Sequence, residues 1–288
     1  MEEHDLQLLT RAAQLAEAAY DDNIPGAKKI ENPKTSTTAF FLRGDTIDYL
    51  TIRGTQKGFT RDWLFNALAI PYPVKGALIH LGFYLHLKGI LKDVHKELNP
   101  AKRLVLTGHS LGGGACETLA HLCRDHKAPV SLIAWGKPNL FSRLKRCRLD
   151  HLRHHYSFCH GSDIVSRIPR YGFRPSSGDQ LKQIWFSNEG TTFVNPTKQM
   201  KKDDWSISDS VSDHGMAGYR SRLAQWCVEC RPPQPKMKVK AKNKRDGITC
   251  GPIRRLLTHS PTSRGRIIGP RISPSLTLQN TGKKYPRG

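Results

Sequence analysis

Residues 103–119 read RLVLTGHSLGGGACETL and constrain the architecture more tightly than any other part of the chain. Residues 103–107 have the composition of a buried strand, residues 108–114 are rich in glycine, and residues 115–123 have a helical pattern. The glycines let the strand and the helix pass closer than a Cβ permits, and the Ser110 hydroxyl stands clear of a strained turn. The start of the helix directs free amides towards a reacting carbonyl. The sequence therefore predicts that Ser110 is a nucleophile.

The segments around this turn alternate between strand and helix patterns, which implies a mostly parallel sheet with helices on both faces. Two β-prone runs flank the turn signal Arg43-Gly44-Asp45 and predict a hairpin. Residues 56–82 contain several prolines and predict a loop-rich stretch. The expected strands are residues 37–42, 47–52, 103–107, 131–135 and 155–159, and the expected helices are residues 5–20, 83–98, 115–123 and 213–227, the last beginning near an aspartate cap.

The chain has 288 residues and a net charge of +22, and this charge is unevenly distributed. Residues 231–288 carry 15 Lys/Arg and one acid, together with eight prolines and only ten Leu, Ile, Val or Phe. Ten in 58 is below the roughly 20% at which folding is expected. We therefore expect a folded domain over residues 1–230 and a disordered basic tail over residues 231–288. Such a charge favours anionic partners.

The cellular compartment is predicted from what the sequence lacks. It has no apolar run of about 18 residues, and its acidic N-terminus, MEEHDLQLLT, is unlike a secretory signal. Seven cysteines, an odd number, favour free thiols in a reducing compartment. We expect a cytoplasmic protein whose association with membranes, if any, is peripheral.

The cysteines and histidines of the sequence do not form a pattern typical of a metal or redox site. Cys227 and Cys230 form a single C-x-x-C without the second ligand pair that a zinc site needs. Four clustered histidines lack cysteine or acidic partners at ligand spacing; they are His151, His154, His155 and His160. The sequence predicts no metal and no cofactor.

A serine needs a base to take its proton and a carboxylate to orient that base. Asp163 follows an apolar strand, where the carboxyl ends of parallel strands line a crevice. Only His214 and His259 follow Asp163, and His259 lies in the predicted tail. Asp163 and His214 are therefore the expected acid and base. The other acids considered lack such a placement; they are Asp125, Asp150, Asp179, Asp203, Asp204 and Asp209.

Taken together, a set of short segments resembles the class 3 (fungal-type) lipases of the α/β-hydrolase superfamily. The resemblance covers about residues 5–226 and implies an α/β-hydrolase fold. The segments in chain order are Ala18-Ala19-Tyr20, Ile52-Arg53-Gly54-Thr55, Asp62-Trp63, Ile79-His80-Leu81-Gly82-Phe83, Thr107 to Gly113, Trp135-Gly136-Lys137-Pro138, Ser162 to Pro169, and Asp213-His214.

The resemblance implies a role for each matching position. Ser110 would be the nucleophile, Asp163 the orienting acid and His214 the general base. Thr55 and Leu111 would supply the oxyanion hole through their backbone N–H groups, with the Thr55 hydroxyl as a further donor. Residues 56–68 would form a lid that opens at a lipid–water interface, with an apolar face made of Trp63, Leu64, Phe65 and Leu68.

The sequence departs from the family pattern at two positions. Asn66 stands where many members have an acidic residue three positions after the lid tryptophan, and Lys137 replaces a small neutral residue. The secretory signal and paired cysteines of the fungal enzymes are also missing.

The sequence thus predicts a serine hydrolase of lipid carboxylic esters, of the acylglycerol lipase or phospholipase A type. One alternative is a catalytically idle scaffold whose tail binds nucleic acid or anionic membranes. The tail contains one aromatic residue, Tyr285, so stacking on bases is poorly supported. The other alternative is an esterase or thioesterase of non-lipid substrates, since the unseen acyl pocket sets the substrate.

Overall fold

The computed structural model describes residues 3–55, 70–145 and 147–230. The lid expected at residues 56–68, with Trp63 and Asn66, lies outside the described residues. The tail expected at residues 231–288 also lies outside them. The division into a domain and a tail at residue 230 therefore stays a prediction.

A central sheet of eight strands runs through the described chain in the order β1-β2-β3-β6-β7-β9-β11-β12. The five strands from β3 to β11 pair in parallel, whereas β1, β2 and β12 pair antiparallel at the two edges. The twelve strands are β1 (Lys28–Asn32), β2 (Thr37–Leu42), β3 (Ile47–Ile52), β4 (Pro71–Val74), β5 (Ala77–His80), β6 (Arg103–His109), β7 (Val130–Trp135), β8 (Phe141–Ser142), β9 (Leu152–His160), β10 (Phe173–Arg174), β11 (Leu181–Phe186) and β12 (Thr192–Val194).

Helices cover both faces of this sheet, as the sequence predicts. The strand side chains alternate between the two faces. In β6, Leu104 and Leu106 pack towards α2 and α3, whereas Val105 packs towards α1 and α5. The helices are α1 (Glu3–Ala18), α2 (Leu81–Glu97), α3 (Leu111–Leu122), α4 (Lys198–Asp203) and α5 (Met216–Glu229).

The hairpin expected around Arg43-Gly44-Asp45 is confirmed, because β2 and β3 pair antiparallel. The loop expected at residues 56–82 is wrong in its second half. Residues 71–80 form the hairpin β4–β5, part of a second sheet in the order β10-β8-β5-β4. Pro71 and Pro73 suit β4 because it is an edge strand, where the N–H that proline lacks need not pair with a neighbour.

The last helix begins later than expected. It starts at Met216, and Asp213 lies before it in a short 3-10 turn over Ser212–His214. The Asp213 carboxylate accepts a hydrogen bond from the Ser162 N–H at 2.7 Å instead of capping the helix. The Asp213 side chain therefore links two turns, the one that carries His214 and the one that carries Asp163.

None of the helices in the described part of the chain is both long and apolar enough to cross a membrane. The six described cysteines are free thiols, and five of them are buried.

Candidate active site

The turn between β6 and α3 holds Ser110 in a strained conformation. Its φ of 57° and ψ of −127° lie in a region that residues with a side chain rarely adopt. Gly112 makes the turn sterically feasible, because a Cβ there would overlap the backbone carbonyl of Ile52 in β3. The turn directs the Ser110 side chain away from the strand, as the glycine pattern predicts.

Three side chains predicted from the sequence meet at this turn. Ser110 Oγ lies 2.8 Å from His214 Nε2, and His214 Nδ1 lies 3.0 and 2.9 Å from the two carboxylate oxygens of Asp163. The Asp163 carboxylate can only accept, so Nδ1 carries the proton and Nε2 is free to accept the Ser110 hydroxyl proton. This is the geometry of a nucleophile, a base and an orienting acid.

Asp163 is fully buried and is supported by groups besides His214. Its Oδ1 accepts the Val165 N–H at 2.8 Å, and its Oδ2 accepts the Tyr219 hydroxyl at 2.5 Å. Burial is the largest influence and raises the pKa of this carboxyl, but the hydrogen bonds from His214 and Tyr219 and the charge of the nearby imidazole outweigh it. The net pKa lies below the ordinary value, so Asp163 is ionised at neutral pH.

Tyr219, in α5, was not identified from the sequence. Its hydroxyl donates to Asp163 and accepts the His160 N–H at 3.1 Å. Burial, together with the Asp163 charge, raises the Tyr219 pKa well above its usual value, so the hydroxyl keeps its proton. A tyrosine five residues after the expected base was the available signal, but its direction could not be known before the helix start was known.

His109, the second residue of the G-x-S-x-G pattern, was also missed as a supporting residue. Its Nε2 donates to the backbone carbonyl of His214 at 2.7 Å, which leaves Nδ1 to accept the Tyr20 hydroxyl at 2.7 Å. Burial lowers the pKa of His109 to about 3, with a further contribution from His214, so the ring is neutral. His109 thus fixes the backbone of the expected base from within the turn.

The two expected oxyanion donors are chain neighbours of residues at this turn: Leu111 follows Ser110, and Thr55 follows Gly54, where a Cβ would lie 2.7 Å from the His109 carbonyl oxygen. Leu111 is the first residue of α3, and the amides of a first helical turn have no partner within the helix. Thr55 follows β3, and its buried Oγ1 has no hydrogen-bond partner in the described part of the chain. Arg53 holds this end of β3 through bonds to Asp22 at 2.7 Å and Thr38 at 2.9 Å.

Lys137 departs from the family pattern because it serves a buried ion pair. Its ammonium lies 2.9 Å from Glu117 Oε1, and both side chains are at most 3% exposed. The same oxygen accepts the Ser176 hydroxyl at 2.5 Å. A lysine after Gly136 therefore neutralises an acid that α3 carries into the core.

The other acids and the clustered histidines considered from the sequence have partners other than His214. Asp150 and Asp179 both pair with Arg148, and Asp204 accepts the Asn188 N–H. Of the clustered histidines, His151 bonds the Ala120 carbonyl and His160 the Asp213 carbonyl. The described residues contain no group of three side chains placed to hold a metal ion.

A family model and two curated lipases are similar to parts of this chain. Residues 49–173 match the family model described as lipase (class 3). A secreted mono- and diacylglycerol lipase of Fusarium solani is 28% identical over 113 residues, which are 36% of this chain and 34% of that protein. A lipase of Rhizopus niveus is 34% identical over 137 residues, which are 38% of this chain and 34% of that protein. The matches span about a third of the curated relatives' own length or less.

Solved lipase structures share the fold of this chain at low sequence identity. A lipase structure from Rhizopus microsporus var. chinensis aligns with a TM-score of 0.58 at 22% identity. The alignment covers 74% of this chain and 87% of that one. The α/β-hydrolase fold expected from the sequence is thereby confirmed.

Proposed function

We propose that this chain is a member of the class 3 lipase family and a serine hydrolase that cleaves carboxylic ester bonds of lipids through an acyl-serine intermediate. The observation that carries the proposal is the contact of 2.8 Å between Ser110 Oγ and His214 Nε2, with His214 held by buried Asp163. A serine hydroxyl becomes nucleophilic when such a base takes its proton.

The reaction follows from the positions of the protons. His214 Nε2 takes the Ser110 proton as Oγ bonds to the ester carbon, and the ionised Asp163 stabilises the imidazolium. The tetrahedral intermediate then expels the alcohol, which receives that proton from His214. In the second half, His214 takes a proton from water as its oxygen attacks the acyl carbon. The second tetrahedral intermediate then expels Ser110 Oγ, which takes that proton back from His214, and the carboxylic acid leaves.

The carbonyl oxygen becomes negative in both tetrahedral intermediates and needs donors that are already in place. The Leu111 N–H supplies one at the start of α3. Thr55 supplies the other through its N–H and its unpartnered hydroxyl. Loss of one such donor typically lowers the rate about 10²–10³-fold.

The proposed substrates are acylglycerols or phospholipids at a membrane surface. The names of the relatives support acylglycerols. The net charge of +22 supports an anionic surface, because each Lys or Arg near such a surface contributes about 1 kcal/mol. Both the acylglycerol substrate and the anionic surface fit a cytoplasmic protein that associates peripherally with anionic membranes.

The test compares Ser110→Ala with the wild type on p-nitrophenyl esters of increasing chain length, on emulsified diacylglycerol and on phospholipid vesicles. Ser208→Ala is the matched control, because Ser208 is exposed and its hydroxyl hydrogen-bonds, within the part of the chain that the structure describes, to Ser206 and Asp209 only. We expect Ser110→Ala to abolish turnover and Ser208→Ala to retain it, with a preference for long chains. Equal turnover in wild type and Ser110→Ala would refute the proposal.

A further inference from the structure

A second pocket, separate in its lining from the Ser110 site, lies where the loop after Asp163 and α4 cover the end of β9 and β11. Its volume is about 260 Å³. Its wall includes four basic side chains and no aspartate or glutamate from the described residues; the basic residues are Lys137, Arg167, Lys198 and Lys201. This composition is unusual for the space behind a sheet, where apolar side chains are the rule.

Lys137 is the one cation of this pocket that already has an acidic partner, Glu117 at 2.9 Å. Lys201 and Arg167 form no ion pair with any described residue. The Arg167 guanidinium stacks 3.9 Å from the centre of the Trp205 ring and donates one hydrogen bond to the Lys201 carbonyl at 3.1 Å. Its remaining N–H groups are held in a fixed direction by the ring and stay available to a ligand.

The Lys201 side chain is partly buried. Burial lowers its pKa, and the neighbouring Arg167 lowers it further. Burial likewise lowers the pKa of Arg167. Lys201 and Arg167 line the same pocket without an ion pair to a described acid, and an anion bound between them would offset their mutual repulsion.

Neutral donors complete the wall. Ser157 on β9 and Gln183 on β11 line the same pocket, and neither side chain has a hydrogen-bond partner among the described residues. A tetrahedral oxyanion has enough acceptor oxygens to bond a guanidinium, an ammonium, a hydroxyl and an amide at once.

We propose that this pocket binds a phosphate group between Lys201 and Arg167. The pocket, of about 260 Å³, has room for a phosphate and a short ester substituent. The same phosphate chemistry is offered by inorganic phosphate and by the headgroup of a phosphatidic acid. The proposal does not depend on ester hydrolysis, because none of the four donors touches Ser110, His214 or the carboxylate of Asp163.

The test titrates inorganic phosphate into the full chain by calorimetry, with ionic strength held constant by chloride. We expect saturable binding of one phosphate, with acetate binding much more weakly. Lys201→Gln should weaken phosphate binding at least about tenfold, because the variant loses a charge-assisted hydrogen bond to the phosphate. The matched control is Lys202→Gln, which removes the same charge from an exposed side chain one position along α4 and should leave the affinity unchanged.

A second variant keeps the proposal falsifiable if Lys201→Gln does not fold. Gln183→Glu places a carboxylate opposite the unpaired cations, so it should preserve the fold and eliminate phosphate binding. Displacement of phosphate by monomeric dihexanoyl phosphatidic acid would identify a lipid headgroup as the occupant, and failure to displace it would identify free phosphate. No phosphate binding, equal binding of acetate, or unchanged affinity in both variants would overturn the proposal.

Discussion

At the scale of single residues, the expected base is held by hydrogen bonds from three directions. Asp163 bonds its Nδ1, His109 bonds its backbone carbonyl, and Ser110 lies at its Nε2. Burial keeps the His109 ring neutral, so one nitrogen donates to this carbonyl while the other accepts from the Tyr20 hydroxyl. The tautomer of His214 is therefore fixed before any substrate binds.

Tyr219 supports the ionised form of Asp163, and its removal should be visible in stability. Asp163 has a lowered pKa in the folded chain, so its stabilising contribution is present above the unfolded value of about 3.9 and is lost as pH falls through the folded pKa. Tyr219→Phe should lower the free energy of unfolding at pH 7 by about 1.5–3 kcal/mol. Urea unfolding from pH 7 down to about pH 2 measures this, because the folded carboxyl is protonated only below its unfolded pKa.

The difference between wild type and Tyr219→Phe should shrink as the pH falls and the carboxyl becomes protonated. A difference that stays constant from pH 7 to about pH 2 would mean that the tyrosine acts through packing alone. The reaction should also slow in the variant, with the fall in kcat rather than a rise in KM, because Asp163 contacts His214 and not the substrate.

Lys137 and Glu117 form a buried ion pair, and loss of Lys137 alone should cost more stability than replacement of both residues. Lys137→Met should destabilise the fold by about 3–5 kcal/mol, because Glu117 would remain buried without its cation. The double variant Lys137→Met/Glu117→Leu should recover most of this loss, because an apolar pair of similar size can replace a buried ion pair. Chemical denaturation of the three proteins measures the effect, and a double variant less stable than Lys137→Met would contradict this account.

At the scale of elements, the approach of α3 to β3 controls where Ser110 stands. The helix starts so close to the strand that the first turn has no room for a Cβ at Gly112. Leu111 opens α3, and Thr55 lies three residues beyond β3, whose last residue Ile52 meets Gly112. The expected oxyanion donors therefore lie beside the ends of the two elements that this contact joins.

Gly112→Ala should therefore cost both stability and activity. The added methyl group would overlap a strand carbonyl, and overpacking of this kind costs about 1–3 kcal/mol or more. Gly178→Ala is the matched control, because a Cβ there would lie at an ordinary 3.4 Å from Leu149. Thermal unfolding and ester turnover of the two variants provide the comparison, and a Gly112→Ala protein as stable and active as Gly178→Ala would contradict the packing argument.

The central elements could be predicted because their patterns are strong. The buried run before Ser110, the glycines after it and the apolar run over residues 131–135 each allow one interpretation, and β6, α3 and β7 lie there. The edges could not be predicted in this way. Strand β1 is KKIEN and β4 contains two prolines, so neither shows the apolar alternation that indicates a strand.

The site shows the same division between local and distant signals. Ser110 follows from a local pattern, and Asp163 and His214 follow from their order in the chain. Tyr219 and the pair of Lys137 with Glu117 depend on contacts between elements far apart in sequence. Such contacts become visible only when the helices and strands are placed.

At the scale of the whole molecule, the dominant property is positive charge. Residues 1–230 carry 31 basic and 23 acidic residues, a net +8, and residues 231–288 raise the total to +22. Positive charge of this size attracts the protein to anionic surfaces. This attraction falls off within a Debye length of about 8–10 Å at physiological salt. Lipid hydrolysis at such a surface would therefore depend on salt, whereas hydrolysis of a small neutral ester would not.

Removal of residues 231–288 separates these two effects. The shortened chain should bind vesicles that contain anionic lipid more weakly, because each Lys or Arg lost near the surface removes about 1 kcal/mol. It should hydrolyse p-nitrophenyl butyrate as the full chain does, since the contacts of Ser110, Asp163 and His214 lie within residues 3–230. Vesicle sedimentation and ester turnover measure the two properties. Unchanged binding to anionic vesicles would contradict the role assigned to the tail.

Covalent capture of Ser110 tests the central claim most directly. A fluorophosphonate reacts with a serine only when a base has activated it, and mass spectrometry of the digested protein locates the adduct. We predict one adduct per chain on Ser110, and no adduct anywhere in Ser110→Ala or His214→Ala. An adduct on another residue, or none on a folded protein that still hydrolyses esters, would contradict the assignment.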